Sequence, residues 1–411
     1  MADFRHKLTH YRKPDAAAVT EALWVTEIAH APTPTRGDRG PTVLLAIGHG
    51  SVDVYQGIVP VLVPFLVAER HYDYVAVSGF VLAATVLSSV VQPLFGLLTD
   101  RWAMRWLIPV SMLVTGLGVA LLGVSGSYWL SLTAIALSGV GVAAYHPEGA
   151  RLARSVTGGE PVRMSWFSLG GNVGFALAPV IATPVLAVWG LSGAPVLIVP
   201  ALLGIAVSVP LLGRASAPRA ASAGRAGVDD WPAFRVLTSV IVLRSVAFVG
   251  LSTFLGLFVQ QRVHNSPTSS AVALFALFAG GAVGTVLGGR LAARWGRLRV
   301  LRAAYAAAAV ALTGVVLVPG PGVLVFVAAA ALTLYMPFSL HITLGQDYLP
   351  RRIGTASGVT LGLAVSAGGV FAPVLGMLAQ ATSLRITLAS LILLPALACL
   401  LARRLREPAV P

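Results

Sequence analysis

Charge is scarce in this chain. Of its 411 residues only 11% are Asp, Glu, Lys or Arg, against about 25% in an ordinary soluble domain. Hydrophobic residues make up 56%, and the mean hydropathy is +0.83. That excludes a soluble domain and leaves a membrane protein, whose length is counted in apolar spans of about 20 residues. Cysteine is almost absent: the lone Cys399 excludes an internal disulfide, and no Cys or His spacing matches a zinc motif. Acid is short relative to base, with 15 Asp and Glu against 29 Lys and Arg for a net charge of +14. The basic residues are not interleaved with aromatics on one face, so no nucleic-acid partner is expected. A Ser/His/Asp set and a phosphate loop are missing too, so the chain is not read as an enzyme and no cofactor is expected.

What is present is a succession of apolar runs, at about 42–68, 74–98, 106–124, 128–147, 165–188, 193–213, 236–260, 269–289, 299–318, 322–345, 355–379 and 384–402. The expected fold is therefore all-α, with twelve transmembrane helices in two six-helix bundles, 41–213 and 234–405. They are flanked by a tail, 1–40, and a short end, 406–411, and joined by a linker, 214–233, rich in Ala, Ser, Gly and Arg. Placing the tail, the linker and every even-numbered turn on one side leaves only Arg70, Arg262 and Arg385 on the other. By the positive-inside rule both termini are cytoplasmic. The halves repeat each other. "GLLTDRWAMRW" from Gly96 registers with "GRLAARWGRLR" from Gly289, and "GFALAPVIAT" from Gly174 with "GGVFAPVLGM" from Gly368, at offsets of 193 and 194 residues. Duplicated halves are a transporter architecture, which implies a small-molecule substrate in a lipid bilayer.

Polar residues inside the runs are the candidate functional residues. Asp53 lies about 17 Å along the first helix from Thr42, near the middle of a hydrocarbon core about 30 Å thick. A carboxylate there costs at least about 2.5 kcal/mol unless it meets water, a partner or a proton. His49, Asp53 and Gln56 follow i, i+4, i+7 spacing and share a face, which reads as a protonatable site on a central cavity; simple helix–helix hydrogen bonding is the alternative. Arg244, about 12 Å into the seventh span, needs an anionic partner, either Asp53 or an anionic substrate, unless it snorkels out beside Arg235. In "YHPEGARLAR", Pro147 is expected to end the fourth helix, which sets His146 and Glu148 at the cytoplasmic mouth, with Tyr145 a candidate substrate-binding residue beside them. Glu148 either pairs with Arg151 or relays protons. The tenth span offers His341 and Gln346, with Asp347 expected to pair with Arg351. Gly96 is expected to let helices approach closely, with Asp100, Arg101 and Arg105 bridging helix ends as a latch. Gly174, Pro179 and Pro373 are read as packing and bending positions, and Asn172 as a hydrogen-bonding group facing the cavity.

The G-x-L-x-D-R loop, Gly96 to Arg101, resembles the signature of the major facilitator superfamily. Gly174 with Ala178-Pro179 resembles the fifth-helix antiporter motif of its drug/proton exporters. "HGSVDVYQG", "YHPEGARLAR", "GGNVG" and "GQDYLPRRIGTASG" are similar to stretches of the fosmidomycin-resistance group of bacterial efflux transporters. Ala103 and Met104 depart from the loop motif, and Ala182 and Thr183 stand where the antiporter motif has glycines. The resemblance implies a monomer in the bacterial cytoplasmic membrane, with a central cavity and alternating access driven by the proton gradient. Its expected cargo is small drug-like or metabolite compounds, anions among them, since fosmidomycin is a phosphonate. Proton-coupled uptake uses the same cavity, and a non-transporting sensor or scaffold is a third reading, one that has no need of buried titratable groups.

Overall fold

The computed structural model describes residues 40–102, 104–157, 161–214, 227–263 and 266–408, and all that follows concerns the unit Pro41–Pro411 and its first helix. Among the described residues every regular element is helical. The first half holds α1 (Gly40–Arg70), α2 (Tyr74–Arg101), α3 (Leu107–Val124), α4 (Tyr128–Thr157), α5 (Pro161–Trp189) and α6 (Val199–Ser208). The second holds α7 (Trp231–Arg262), α8 (Pro267–Trp295), α9 (Arg297–Leu317), α10 (Val323–Tyr335), α11 (Phe338–Tyr348), α12 (Ile353–Ala381), α13 (Leu384–Ser390) and α14 (Leu393–Ala402).

The helices begin where polar residues interrupt the apolar runs. Asp73 accepts from the Ala76 N–H at 2.7 Å and Asp230 from that of Ala233 at 2.9 Å, while Ser383 accepts from Ile386 at 3.2 Å. Each satisfies one of the orphan donors of a first helical turn. Pro232 and Pro267 follow the caps of α7 and α8, where the missing N–H is no loss. Pro147 does not end α4, contrary to expectation. The helix runs ten residues further, through Gly149 to Thr157. A bilayer helix tolerates proline because its neighbours re-satisfy the freed backbone groups.

Among the described residues eleven stretches are long and apolar enough to cross a membrane. The fifth, Arg163–Gly213, has 51 residues, which at 1.5 Å per residue would be about 76 Å of helix. It reverses at Gly190, whose φ of 60° is the left-handed conformation that a residue with a Cβ rarely adopts. Glu69, at the end of α1, holds the turn by accepting the Leu191 N–H at 2.9 Å. Before Gly190 the chain runs with α1, Gly170 lying against Ala46 and Ala178 against Gly57. After it the chain runs back along α1, from Leu197 at Tyr55 to Ser208 at Gly48. Exposed Val, Leu and Trp side chains cover the outward faces of α3, α5 and α8, as expected of a surface in contact with lipid, whereas α1 and α7 are the most enclosed spans.

The halves meet where α2 packs along α12 and α5 along α8. Tyr74 donates its N–H to Gln380 Oε1 at 3.4 Å, the Phe175 and Phe278 rings lie 5.6 Å apart, and Pro64 reaches Gly256. The other end of α2 is open in comparison. A Cβ at Gly96 would meet nothing within 4 Å, and Leu94 and Leu97 are exposed. Gly96 therefore does not serve as the close-packing position expected of it. Arg105 is exposed after the end of α2. The side chains of Asp100 and Arg101 lie outside the described residues, and so does the latch expected of them; most of the tail and linker falls outside too.

Candidate functional site

Asp53 is 6% exposed and sits thirteen residues into the 31-residue α1. Two histidines close on it. Nε2 of His49, one turn back on α1, is 3.2 Å from Oδ2, and Nε2 of His146, from α4, is 3.2 Å from Oδ1. Gln56 donates to Oδ1 at 3.1 Å. The far nitrogen of each ring is anchored on a backbone carbonyl, His49 Nδ1 on Phe167 at 2.8 Å and His146 Nδ1 on Val142 at 2.8 Å. The Phe167 ring stacks on His49 at 4.2 Å, and Tyr145 packs beside both histidines. Because α4 continues past Pro147, His146 is carried to mid-helix depth and not to the mouth. Glu148, fully buried, pairs with Arg151 on its own helix.

α5 makes room for this cluster. A Cβ at Gly171 would come 2.8 Å from Cε1 and 3.0 Å from Nε2 of His49, and would run into Asp53 Oδ2. Gly174 lies against the Gly50 carbonyl in the same seam. Asn172 is half-buried on the next position, and Pro179 is buried inside the unbroken α5.

The second half presents a different group. Arg244 is 1% exposed, with Nη2 donating to the Ala364 carbonyl of α12 at 2.9 Å. Its guanidinium lies 5.6 Å from the Tyr335 ring centre and 5.5 Å from that of Phe338. Nε and Nη1 are buried without a hydrogen-bond partner. This burial rules out snorkelling to the surface. Among the described residues no carboxylate pairs with Arg244, so the expected partnership with Asp53 is not formed: His49 and His146 occupy both oxygens of Asp53. His341 bonds the Tyr305 hydroxyl at 2.9 Å, and the Arg244 charge acts on both side chains. Gln346 is turned to the Ser357 hydroxyl at 2.9 Å. Asp347 pairs with Arg297 at 2.5 Å and not with Arg351. Pro373 lies inside the continuous α12.

A cavity of about 60 Å³ lies between the halves, lined by Gln56, Thr85, Phe175, Phe248, Phe278 and Tyr335 among others. Gln56 links it to Asp53, and Tyr335 links it to Arg244. Phe167, Tyr335 and Phe338 carry no signal in the sequence, since aromatic side chains in an apolar run have none of their own, and Gly171 stands out only as one of the small residues of GGNVG.

The family model described as Major Facilitator Superfamily matches residues 45–373. The chain belongs to that superfamily. It is 29% identical over 396 residues to the fosmidomycin resistance protein of Escherichia coli (strain K12), covering 92% of this chain and 95% of that one. It is also 29% identical over 375 residues to the uncharacterized MFS-type transporter YfnC of Bacillus subtilis (strain 168), covering 87% and 91%. Among solved structures, a bacterial homologue of the human lysosomal transporter Spinster, inward-facing and unoccupied, aligns with a TM-score of 0.72 at 16% identity, over 91% of this chain and all of that one. The nucleoside transporter NupG aligns with a TM-score of 0.73 at 10% identity, over 88% and 98%. These superfamily members are multi-pass membrane transporters of small molecules, and the chain shares their all-helical fold.

Proposed function

We propose that the protein is a secondary transporter that exports small anionic compounds in exchange for protons, by alternating access between two six-helix halves. The observation that carries this reading is the pair of groups each one side chain behind the wall of one cavity: a carboxylate held between two histidines and reached through Gln56, and a buried guanidinium behind Tyr335 with two unpartnered nitrogens. An unpaired buried donor costs about 1–3 kcal/mol, and the acceptor oxygens of an anion such as a phosphonate or carboxylate relieve that cost. The Asp53 cluster ties α1 to α4 and α5, so gaining or losing a proton there changes contacts between helices. Electrostatics alone would draw an anion and a proton in together. Exchange therefore requires the two to be held in different conformations, and the helix ties of His49, Asp53 and His146 are what protonation alters.

In this reading the reversal at Gly190 makes the fifth stretch two crossings, for twelve in all. The halves are 41–213 and 234–405. The termini and the linker 214–233 face the cytoplasm of a bacterium whose inner membrane holds the protein as a monomer, and the proton gradient replaces any cofactor. The similarity to the E. coli fosmidomycin resistance protein supports fosmidomycin, itself a phosphonate, as the first probe.

The test is flux of labelled fosmidomycin in proteoliposomes under an imposed pH gradient. Wild type accumulates the compound in an acidic lumen. Asp53→Asn loses that accumulation but still binds, and Arg244→Ala loses binding itself. Accumulation by Asp53→Asn equal to wild type, or uptake that follows the protons, overturns the exchange reading.

A further inference from the structure

The two histidines reach Asp53 with one ring nitrogen already committed. A carbonyl only accepts, so the Nδ1 atoms that face Phe167 and Val142 at 2.8 Å carry the hydrogens, and each neutral ring keeps its lone pair on Nε2. Both Nε2 atoms then point at a carboxylate. Gln56 Nε2 supplies one donor to Oδ1, but Nε2 of His49 is buried without a hydrogen-bond partner, and that side chain is only 10% exposed. Lone pairs from three residues converge with too few hydrogens between them, an arrangement that a cation relieves. A proton is one such cation; the donor set suits another.

Two imidazole nitrogens and one carboxylate are the ligand types of three-ligand zinc sites, in which water takes a fourth position. Zinc bonds of about 2.0–2.1 Å in a tetrahedron set neighbouring donors about 3.3 Å apart. His49 Nε2 is 3.2 Å from Oδ2 and His146 Nε2 is 3.2 Å from Oδ1, so either carboxylate oxygen meets one imidazole at that spacing, and one ligand atom from each residue lies within 4.8 Å of the others. His146 has the more exposed side chain of the two histidines, at 24%, so it is the ring with room to close the remaining gap. Anchoring of the outer Nδ1–H on a backbone carbonyl is how metal-binding histidines are usually oriented. Gly171 keeps α5 clear of both His49 and Asp53. The sequence hides the site because His146 is 93 residues beyond Asp53.

We propose that His49, Asp53 and His146 form a Zn²⁺ site, with the fourth position open to water, so that the metal and the coupling proton exclude each other. Binding is read at equilibrium without a gradient. Its failure therefore leaves the transport reading intact, and failure of the transport test leaves the metal site intact.

The experiment titrates ZnCl₂ into the full-length chain, purified in detergent, freed of any polyhistidine tag and stripped with chelator, and follows heat. Wild type should show a saturable component of one ion per chain that survives excess Mg²⁺, and that Asp53→Asn and His146→Gln each weaken at least tenfold. Zinc held elsewhere, for example by histidines of residues 1–39, persists in the variants and is subtracted. If a variant does not fold, Co²⁺ in the wild type decides: intense visible bands of a four-coordinate ion support the site, and a pale octahedral spectrum overturns it. Titrations of folded variants that match wild type overturn it as well.

Discussion

Replacing Gly171 by alanine adds a single methyl group at the point where α5 touches the Asp53 cluster. The new Cβ would stand 2.8 Å from His49 Cε1 and 3.0 Å from Nε2, whereas carbon atoms in contact rest about 3.5–4.0 Å apart. The ring would have to retreat by about 0.7 Å to reach the short end of that range. Its retreat is blocked by the Phe167 ring stacked on it and by the 2.8 Å bond from Nδ1 to the Phe167 carbonyl. The helices cannot simply part, because Gly50 is in backbone contact with Gly170, and Gly57 with Phe175. The expected cost is the overpacking penalty of about 1–3 kcal/mol, including a hydrogen bond worth about 1 kcal/mol if Nδ1 is pulled from its carbonyl. Gly171→Ala should thus melt below wild type in detergent, as followed by tryptophan fluorescence, and lose gradient-driven flux. Gly362→Ala, on α12 with nothing within 4 Å of its Cβ, is the control and should be neutral or slightly stabilising. The decisive measurement is a cycle with His49→Ala, which vacates the space the methyl needs. In that background Gly171→Ala should cost less, though not nothing, because the methyl still runs into Asp53 Oδ2. An unchanged melting temperature for the single variant, or strict additivity in the cycle, would refute the packing described.

Three further outcomes are expected. Arg297 joins Asp347 at 2.5 Å and Glu407 at 3.2 Å, and Glu407 accepts the Leu298 N–H at 3.1 Å; because these groups are partly exposed, Arg297→Ala should lower stability by only about 1 kcal/mol and leave fosmidomycin binding unchanged, and a loss of binding would count against placing that cluster outside the substrate path. Gly96→Ala should leave stability within about 0.5 kcal/mol of wild type, since its Cβ would meet nothing; a large loss would restore the close-packing role expected from the sequence. Reporter fusions after Arg225 and at the C-terminus should both report the cytoplasm, and a signal from the opposite side at either position would overturn the twelve-crossing topology.

Much of the architecture was legible because apolar length is a strong signal. The runs expected at about 74–98 and 236–260 are helices that begin at Tyr74 and Trp231, where Asp73 and Asp230 cap them, and the duplication was visible in matched glycines and prolines. The misreadings have physical causes. Pro147 was expected to stop α4 by the rule that holds in water, yet inside a bundle the helix continues and brings His146 to Asp53. Arg244 and Asp53 were expected to pair because opposite charges inside a membrane seek each other. The i, i+4 spacing of His49 and the long-range approach of His146 supply nearer partners instead. Gly171 lay inside the small-residue stretch GGNVG, but its partners could not be read there, because the residues it faces lie more than a hundred positions earlier.

The duplication reaches further than the motifs that revealed it. His49 and Arg244 are separated by 195 residues, and so are His146 and His341, close to the offsets of 193 and 194 between the repeated stretches. The contacts obey the same register. His49 Nδ1 donates to a carbonyl of α5, and Arg244 Nη2 donates to a carbonyl of α12, the counterpart of α5. Gly174 meets the Gly50 carbonyl in one half, while Gly368 donates its N–H to Ser245 Oγ at 2.9 Å in the other. One ancestral position, the first-helix side chain hydrogen-bonded to the fifth helix, thus carries a titratable imidazole in one half and a permanent guanidinium in the other. Only the first half adds a carboxylate, because the position 195 residues beyond Asp53 is Phe248, which packs on Tyr335 at 4.7 Å. On the proposed reading, two polar centres built on one plan have diverged into one for a proton or a cation and one for an anion. On that division of labour, Phe248→Asp should set a carboxylate beside Arg244, occupy its free N–H groups and abolish fosmidomycin binding, while Phe248→Leu retains it. Equal binding by the two variants would show that the anion is recognised somewhere other than Arg244.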